Sequence, residues 1–409
     1  MSILRTRGLV PLVTAEAVSA LGSQMTFLAL PWFVLVTTGS AARMSVVLAV
    51  EIAPIALLGI PSGALIARIG ARRTLILGDA ARAPLMASIP LLHELGALSF
   101  PLLLVLVAAV GCFLAPYFSA QRLILPELLG EDERTVAVGN ALLEGVPRLM
   151  ALLGPALAGV LIAVFDAPSV LYIDAATFVV SALLLTFLVP ARPPAEPTDE
   201  ARGLFAGVRF LLHDRLLGPL AGCALVLNAL GQMLVAALPV LAYEQYDGSS
   251  RVAGAFFASF GAGAVVGMLL ALKLMPRYEP IRLAAGSLVA LTLPIWLLLA
   301  DLPAWGVVAA LFLSALFGPL VNAPLLGVIT TRTPAALRPK VMTAVITFAM
   351  LAGPLGLIVV GPLLQNIGPR PVFGLVAAGE LAAALVFAFV ALRHHEAPLQ
   401  VSEAIAEPG

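Results

Sequence analysis

The chain is short of charge. Only 11% of its 409 residues are Asp, Glu, Lys or Arg, and lysine occurs only at Lys273 and Lys340. A soluble domain is about a quarter charged, so a water-soluble fold of this length would lack the groups to cover its surface. The formal net charge is zero, which argues against a nucleic-acid partner. We therefore expect the lipid bilayer to be the solvent.

Several features of soluble and enzymatic proteins are also missing. Cys112 and Cys223 both sit in apolar runs, where they are expected to pack as small hydrophobic side chains rather than form a disulfide. No P-loop occurs, so ATP bound to this chain would not drive its activity. HELGA, residues 93–97, lacks the second histidine of a zinc-protease motif. GAGAVVG, residues 261–267, lies in an apolar run, so it is expected to be a close-packing helix face rather than a nucleotide site. We expect no enzyme, no metal and no cofactor.

Long apolar runs dominate instead. A helix needs roughly 20 apolar residues to cross a bilayer core. Such runs exclude a transmembrane β-barrel, whose strands would alternate in polarity. We predict spans at residues 9–37, 44–67, 74–93, 100–121, 137–164, 169–189, 217–242, 252–275, 283–300, 304–330, 341–364 and 372–392.

The basic residues predict the orientation. With the N-terminus in the cytoplasm, 18 of the 23 basic residues fall on the cytoplasmic side, counting Lys273 at the cytoplasmic end of window 252–275, and Arg82 and Arg148 lie deeper within spans. The other three, Arg43, Arg251 and Arg370, fall on the opposite side. Cytoplasmic loops are enriched in Lys and Arg, so both termini are expected in the cytoplasm of a multi-pass inner-membrane protein. The first window is expected to be a span rather than a signal peptide, since no cleavage site follows it.

The organisation predicts two halves. ARPPAEPTDEARG, residues 191–203, has the proline and charge content of a linker, and an amphipathic helix is expected to follow it. We predict an N-terminal six-helix bundle (1–190), a cytoplasmic linker (191–216), a C-terminal six-helix bundle (217–392) and a cytoplasmic tail (393–409). Gly154-Pro155 and Gly353-Pro354 lie 199 residues apart, and Gly63 and Gly267 lie 204 apart, which favours duplicated halves.

Residues 63–73, GALIARIGARR, resemble the loop between spans 2 and 3 of the major facilitator superfamily. That loop has Gly, three residues, Asp-Arg, one residue, Gly and a basic cluster. The chain matches it at Gly63, Arg68, Gly70, Arg72 and Arg73, but Ala67 replaces the Asp and Ala71 a frequent basic residue.

GPALAG resembles the antiporter motif of span 5 in that family, at Gly154, Pro155 and Gly159, with Ala158 replacing a glycine. The family's span 4 arginine, four residues before a glycine, is absent, because Val107 precedes Gly111. ILPELLGEDERTVAVGNALL, DAATFVVSALL and AGPLGLIVVGPLL are similar to the branch that holds macrolide and multidrug efflux proteins and the enterobactin exporter. The resemblance implies an all-α polytopic fold of twelve transmembrane helices in two pseudo-symmetric halves, working by alternating access.

Polar residues inside the spans are the candidate site residues, because a charge at mid-span costs at least ~2.5 kcal/mol. Glu144 and Arg148, with Asn140, share one helix face. They are either a structural ion pair or a proton site tuned by the arginine, and Glu51 is either partnered, most plausibly by Arg148, or protonated. The candidate proton-coupling and substrate residues are Glu144, Arg148, Glu51, Glu16, Asn140, Asn228, Gln232 and Asn322.

A second candidate group forms a cytoplasmic gate. Asp79 and Arg82, three residues apart in span 3, join the loop residues Gly63, Arg68, Gly70, Arg72 and Arg73. In relatives the acid at the position of Ala67 is understood to brace this gate near the N-terminal end of span 11. Its absence predicts an equilibrium biased toward the inward-facing state, unless Asp79 substitutes for the missing acid.

We expect a transporter that exports lipophilic or cationic small molecules in exchange for protons, works without a cofactor, contacts no nucleic acid and is a monomer. A dedicated exporter of one metabolite, siderophore or lipid is the first alternative. A membrane sensor or scaffold that transports nothing is the second.

Overall fold

The computed structural model describes residues 8–129, 133–191, 209, 216–333 and 338–394. Apart from Arg209 and Leu216, the predicted linker from residue 192 onwards and the tail from residue 395 lie outside the described residues, so the amphipathic helix stays a prediction. All regular secondary structure in the described residues is helical. Its helices are α1 Leu9–Thr38, α2 Ala41–Ile69, α3 Ala71–Glu94, α4 Phe100–Cys112, α5 Leu114–Leu129, α6 Glu133–Val164, α7 Ala167–Leu188, α8 Leu217–Gln245, α9 Ser250–Leu274, α10 Pro280–Thr292, a 3-10 helix Leu293–Leu299, α11 Ala304–Arg332, α12 Arg338–Ile367 and α13 Pro369–His394.

A helix lies at each predicted window, with ends shifted by a few residues. Within the described residues, ten helical stretches are long and apolar enough to cross a membrane. The windows 44–67 and 341–364 correspond to α2 and α12, whose side chains are described only in part, and the apolar section of α12 found there is the shorter Leu351–Ile367. The chain is therefore a multi-pass membrane protein, and the count of twelve spans stays a prediction.

Two windows predicted as single helices are interrupted. Window 100–121 divides into α4 and α5 at Phe113, whose N–H donates to the Val110 carbonyl, as in a tightened last turn (3.1 Å). Pro116 has no N–H to donate, so it is tolerated better in the first turn of α5 than in the middle of one continuous helix. Window 283–300 changes from α10 to a 3-10 helix at Leu293, next to Pro294.

The helices pack in a pattern that recurs along the chain. In the N-terminal helices, α1–α7, the first helix packs on α6 and α7, α2 packs on α4 and α5, and α3 packs on α7. In the C-terminal helices, α8–α13, the first helix packs on α12 and α13, α9 packs on α11, and α10 packs on α13. The two groups meet chiefly where α6 packs on α9 and α2 on α12.

Glycines mark the closest crossings. A Cβ built on Gly154 of α6 would lie 2.5 Å from the Gln24 Cβ of α1, and one built on Gly159 would lie 2.6 Å from the Ser250 carbonyl oxygen of α9. Real Cβ atoms do not come so close to other heavy atoms, so only glycine allows these two approaches. The GPALAG stretch therefore fits α6 tightly against α1 on one side and α9 on the other.

Candidate functional site

A buried polar cluster lies between α1, α3, α5 and α7. Its charged members are almost inaccessible: Glu16 is 5% exposed, Arg82 2%, and Asp79 and Asp174 0%. Within the described part of the cluster, Glu16, Asp79 and Asp174 supply three carboxyl groups, and Arg82 supplies the one guanidinium. If all three carboxyl groups were ionised, the cluster would carry an excess of negative charge. Because an unpaired buried charge is costly, bound protons or another cation would stabilise it.

Arg82 is the cationic centre. Its guanidinium forms an ion pair with Asp79, one helical turn earlier on α3. Nε also donates to the Gly78 carbonyl oxygen (3.3 Å). The guanidinium lies 4.3 Å from the ring centroids of both Tyr117 and Phe178, close enough for cation–π contact. Arg82 is thus held by contacts with α3, α5 and α7, and its positive charge neutralises that of Asp79 by direct contact.

Tyr117 connects two of the acids. Its hydroxyl lies 3.3 Å from Glu16 Oε2 and 3.5 Å from Asp79 Oδ2. A phenol has a single O–H, so it can donate to only one of these carboxyl groups at a time. Gln121 donates to the other oxygen of Glu16, and Ser19 Oγ donates to Asp79 Oδ1 (3.3 Å). The arrangement is a short hydrogen-bonded chain whose donors can be redistributed between Glu16 and Asp79.

Asp174 lies further along α7. Thr26 Oγ1 donates to its Oδ2 (2.6 Å), and Thr177 Oγ1 lies 2.7 Å from its backbone carbonyl oxygen and 3.2 Å from its Oδ1, so the one Thr177 hydroxyl hydrogen is shared between these two acceptors. Gly22 lets α1 approach this carboxyl group, since a Cβ there would lie 2.3 Å from Asp174 Oδ1. Hydroxyl groups are thus the described hydrogen-bond partners of the Asp174 carboxyl group, and they add no positive charge.

Glu51 of α2 shares no hydrogen bond or ion pair with the cluster among the described residues, although it lies close enough to Asp174 for the two carboxyl groups to interact electrostatically. Glu51 is half-buried where α2 packs on α4, and a Cβ on Gly111 would lie 2.3 Å from its backbone oxygen. No ion pair joins Glu51 to Arg148 within the described residues, because Arg148 is exposed and its Nη1 donates to Met268 Sδ of α9 (3.0 Å). The side chains of Asn140 and Glu144 lie outside the described residues, so their pairing stays a prediction.

The predicted amides of the C-terminal helices do not gather into one group. Asn228 is exposed and donates to the Ala224 carbonyl oxygen of its own helix (3.0 Å). Gln232 is half-buried beside Gly353 of α12, 3.5 Å from a Cβ built there. Asn322 is exposed on α11. None of the three lies in the buried cluster.

The arginine-rich loop is a tight helix-to-helix turn. Gly70 ends α2 and precedes α3 with φ at 85°, in a region that favours glycine. Arg72 donates from Nε to the Val189 carbonyl oxygen (2.8 Å) and from Nη2 to that of Thr186 (2.6 Å), so it caps the end of α7. Arg68 and Arg73 are exposed, and the side-chain positions of Gly63 and Ala67 lie outside the described part.

Asp79 and Arg82, predicted as gate residues, lie in the buried cluster together with Glu16. Within the described residues, the polar partners of Asp79 are Arg82, Ser19 and Tyr117 of the N-terminal helices, so these contacts offer no substitute for the acid missing at residue 67. Sequence reasoning missed Tyr117, Gln121, Thr26 and Asp174. Asp174 carried a usable signal, since it is an acid inside an apolar window.

Comparison with known proteins identifies the family. The sequence model of the Major Facilitator Superfamily matches residues 12–356 and, in a second match, 220–407. The multidrug efflux pump Tap of Mycolicibacterium fortuitum is 28% identical over 398 residues, which cover 94% of this chain and 96% of Tap. The staphyloferrin A transporter of Staphylococcus aureus is 25% identical over 259 residues, which cover 62% of this chain and 64% of that protein.

Solved structures share the fold. The crystal structure of the nucleoside transporter NupG, as a D323A mutant, superimposes with a TM-score of 0.78 at 14% identity, covering 93% of this chain and 99% of NupG. At that identity the likeness concerns the fold alone. The family model, by contrast, covers most of the sequence. The chain therefore belongs to the Major Facilitator Superfamily of membrane transporters.

Proposed function

We propose that the protein is a secondary active transporter that exports lipophilic or cationic small molecules in exchange for protons. The observation that carries this proposal is the buried cluster of Glu16, Asp79, Arg82 and Tyr117. The proposal includes twelve spans in two six-helix halves, with both termini in the cytoplasm. The recurring helix contacts and the uneven distribution of basic residues support these two points.

The cluster is suited to holding an exchangeable proton. Arg82 balances Asp79 directly, which leaves Glu16 with the hydrogen-bond donors Gln121 and Tyr117. A buried carboxylate that lacks its own cation is stabilised by taking up a proton. The Tyr117 hydroxyl can then turn to Asp79, so one proton change at Glu16 alters the hydrogen bonds of both α1 and α3. This links protonation to the positions of helices.

The relatives support export. Tap is described as a multidrug efflux pump, and its similarity extends over nearly the whole of both chains. The sparse charge of the spans and the spread of amides in the C-terminal helices suit an apolar cargo with few fixed polar contacts. Alternating access then requires the N-terminal and C-terminal helices to part at one end at a time, along the α6–α9 and α2–α12 contacts.

Transport by purified protein in liposomes tests the proposal. Protein that faces inside out should accumulate a lipophilic cation such as ethidium when the lumen is acidic, and nigericin should abolish the accumulation by removing the pH gradient. Uptake that ignores the imposed gradient would overturn proton exchange. Uptake of no drug in a broad panel would overturn multidrug export.

Similarity to the staphyloferrin A transporter favours a second candidate, an exporter dedicated to one metabolite or siderophore. A competition panel separates the two functions. A dedicated exporter would be inhibited by one chemical class only, whereas a drug efflux protein would be inhibited by many unrelated lipophilic cations.

A further inference from the structure

A separate groove of about 610 Å³ runs along the surface of the N-terminal helices, between α3 and α7. Its floor is formed by Ala83 and Ala175, which are each 6% exposed, and its rims by exposed residues such as Pro84, Val179 and Leu183. Ten of its twelve lining residues are apolar, and six of those ten are alanines: Ala80, Ala83, Ala87, Ala175, Ala176 and Ala182. Small side chains on both helices therefore leave the groove open.

The groove lies on the side of α3 and α7 that faces away from the buried cluster. Ala80 and Pro84 are each two residues from Arg82, which places them nearly opposite it, about 200° around α3. Ala176 stands in the same relation to Asp174 on α7. Both helices are long and apolar enough to cross a membrane. The groove therefore opens toward the hydrocarbon of the bilayer.

Two arginines stand at one end of the groove. Arg72 and Arg73 precede Ile76, the first groove residue of α3, by four and three residues, so they share its helix face. Arg72 Nη2 donates to the carbonyl oxygen of Thr186, which is the last groove residue of α7 (2.6 Å). Arg72 Nε donates to the Val189 carbonyl oxygen (2.8 Å), so the guanidinium is fixed beside the groove. Within the described residues, these contacts use two of its five N–H groups.

The segments that form this end of the groove carry no acid. Residues 63–78 contain no Asp or Glu, and neither do residues 175–190. Arg73 is exposed and Arg72 is half-buried, so both are accessible to a ligand. A guanidinium binds phosphate oxygens through paired hydrogen bonds, and basic residues next to a membrane span attract anionic lipids. The charge at this end of the groove is therefore complementary to a lipid phosphate.

The length of the groove suits an acyl chain. Tyr172 and Thr186 are its first and last residues on α7, and the stretch of helix between them rises about 21 Å. Half of a bilayer core is about 15 Å thick. A chain that starts beside the arginines can therefore lie in the groove through the whole depth of one leaflet. The volume of about 610 Å³ is also typical of cavities that hold small-molecule ligands.

We propose that the groove binds one acyl chain of an anionic phospholipid, such as phosphatidylglycerol, and that Arg72 and Arg73 hold its phosphate. The lipid is a bound component of the protein rather than its cargo, and the site does not rest on the proposed transport function. A second copy of the chain fits the groove less well. Copies packed here in one membrane would share one orientation and bring their arginines to the same side, where like charges repel.

Native mass spectrometry of the purified protein tests the headgroup preference. Phosphatidylglycerol should bind about tenfold more tightly than phosphatidylcholine with the same acyl chains. Arg73→Gln should weaken phosphatidylglycerol binding about fivefold and leave phosphatidylcholine binding unchanged. Arg73 is chosen because Arg72 also caps α7. Arg393→Gln, the same charge loss at the end of α13, should change neither affinity. Equal affinities of the wild type for the two lipids would show ordinary surface lipid only and overturn the proposal.

Filling the groove tests the place of the acyl chain. Ala80→Phe with Ala176→Phe puts two large side chains at exposed groove positions. This variant should bind phosphatidylglycerol about tenfold more weakly, because the acyl chain loses apolar contact area. Val180→Phe is the matched control, since Val180 is exposed on α7 but does not line the groove. Melting temperatures near that of the wild type show that the variants fold. An unchanged affinity in the double variant would overturn the proposal.

A photoreactive lipid locates the chain independently. Phosphatidylglycerol with a diazirine on one acyl chain should label α3 and α7 more than the other exposed helices. Unlabelled phosphatidylglycerol should compete with it, whereas phosphatidylcholine should not. Labelling spread evenly over the exposed helices would contradict a specific site. A membrane dimer that Ala80→Phe with Ala176→Phe abolishes would also overturn the proposal, since the groove would then hold a second copy of the chain.

Discussion

Gly159 of α6 and Gly254 of α9 cross so closely that a Cβ built on Gly159 would lie 3.0 Å from the Gly254 Cα. The reverse also holds, since a Cβ on Gly254 would lie 2.6 Å from the Pro155 carbonyl oxygen. The α6–α9 contact is thus set by backbone on both sides. It joins the N-terminal to the C-terminal helices.

Gly159→Ala should therefore weaken this contact. The added methyl group meets backbone that cannot move aside, so we expect the free energy of unfolding to fall by about 1–3 kcal/mol. Gly145→Ala on the same helix is the matched control, because a Cβ there meets no atom within 4 Å. Thermal unfolding in detergent measures both variants. Equal losses of stability would contradict the close-crossing explanation.

Arg82 should be costly to remove. Arg82→Met leaves Asp79 buried without its cation, so we expect a loss of about 3–5 kcal/mol in unfolding free energy. Adding Asp79→Leu removes the stranded carboxyl group, and the double variant should regain part of that loss. Chemical denaturation of the two variants decides the matter. A double variant less stable than Arg82→Met would show that Asp79 stabilises the cluster without the arginine.

Replacing Glu380 should increase the stability of the fold. It is 4% exposed on α13, and its Oε2 has no hydrogen-bond partner within the described residues. Glu380→Met has a similar volume and no polar atom to satisfy, so it should stabilise the fold by about 1–3 kcal/mol. Glu380→Gln keeps a polar group there and should gain less. If the methionine variant melts below the wild type, the carboxyl group is satisfied and the interpretation fails.

Ala67 remains the departure of the gate loop from its family. In relatives an acid at this position is understood to brace the gate near the N-terminal end of span 11, where a helix concentrates positive charge. We expect Ala67→Asp to shift the population of states toward outward-facing. Distances between spin labels on the cytoplasmic ends of the helices measure the shift. Distributions identical to those of the wild type would contradict the expectation.

The sequence predicted the helices well because a membrane-spanning helix needs a long apolar run, and such runs are easy to locate in a sequence. It also pointed to Glu16, Asp79 and Arg82 as charges in need of a reason. It did not predict their meeting with Tyr117, which depends on how α1, α3 and α5 rotate against one another. Their apolar residues surround each helix, so no stripe in the sequence fixes that rotation.

The role of Arg72 shows a second limit. The family signature placed it in a basic cluster, where charge alone sets orientation across the membrane. Its hydrogen bonds to the Thr186 and Val189 carbonyl oxygens join residues more than 110 positions apart. Nothing local in the sequence encodes such a cap. The division at Phe113, by contrast, had a local signal in Pro116 that the apolar window concealed.

The central claim, that the buried cluster holds the exchanged proton at Glu16, is tested most directly by comparing two transport modes of Glu16→Gln in liposomes. Glutamine keeps the shape and an acceptor for Gln121 but cannot release a proton at working pH. We predict that the variant still exchanges labelled for unlabelled cargo at equilibrium, yet no longer accumulates cargo when a pH gradient is imposed. Glu94→Gln, an exposed acid at the far end of α3, should behave as the wild type does. Accumulation by Glu16→Gln at the wild-type level would contradict the account.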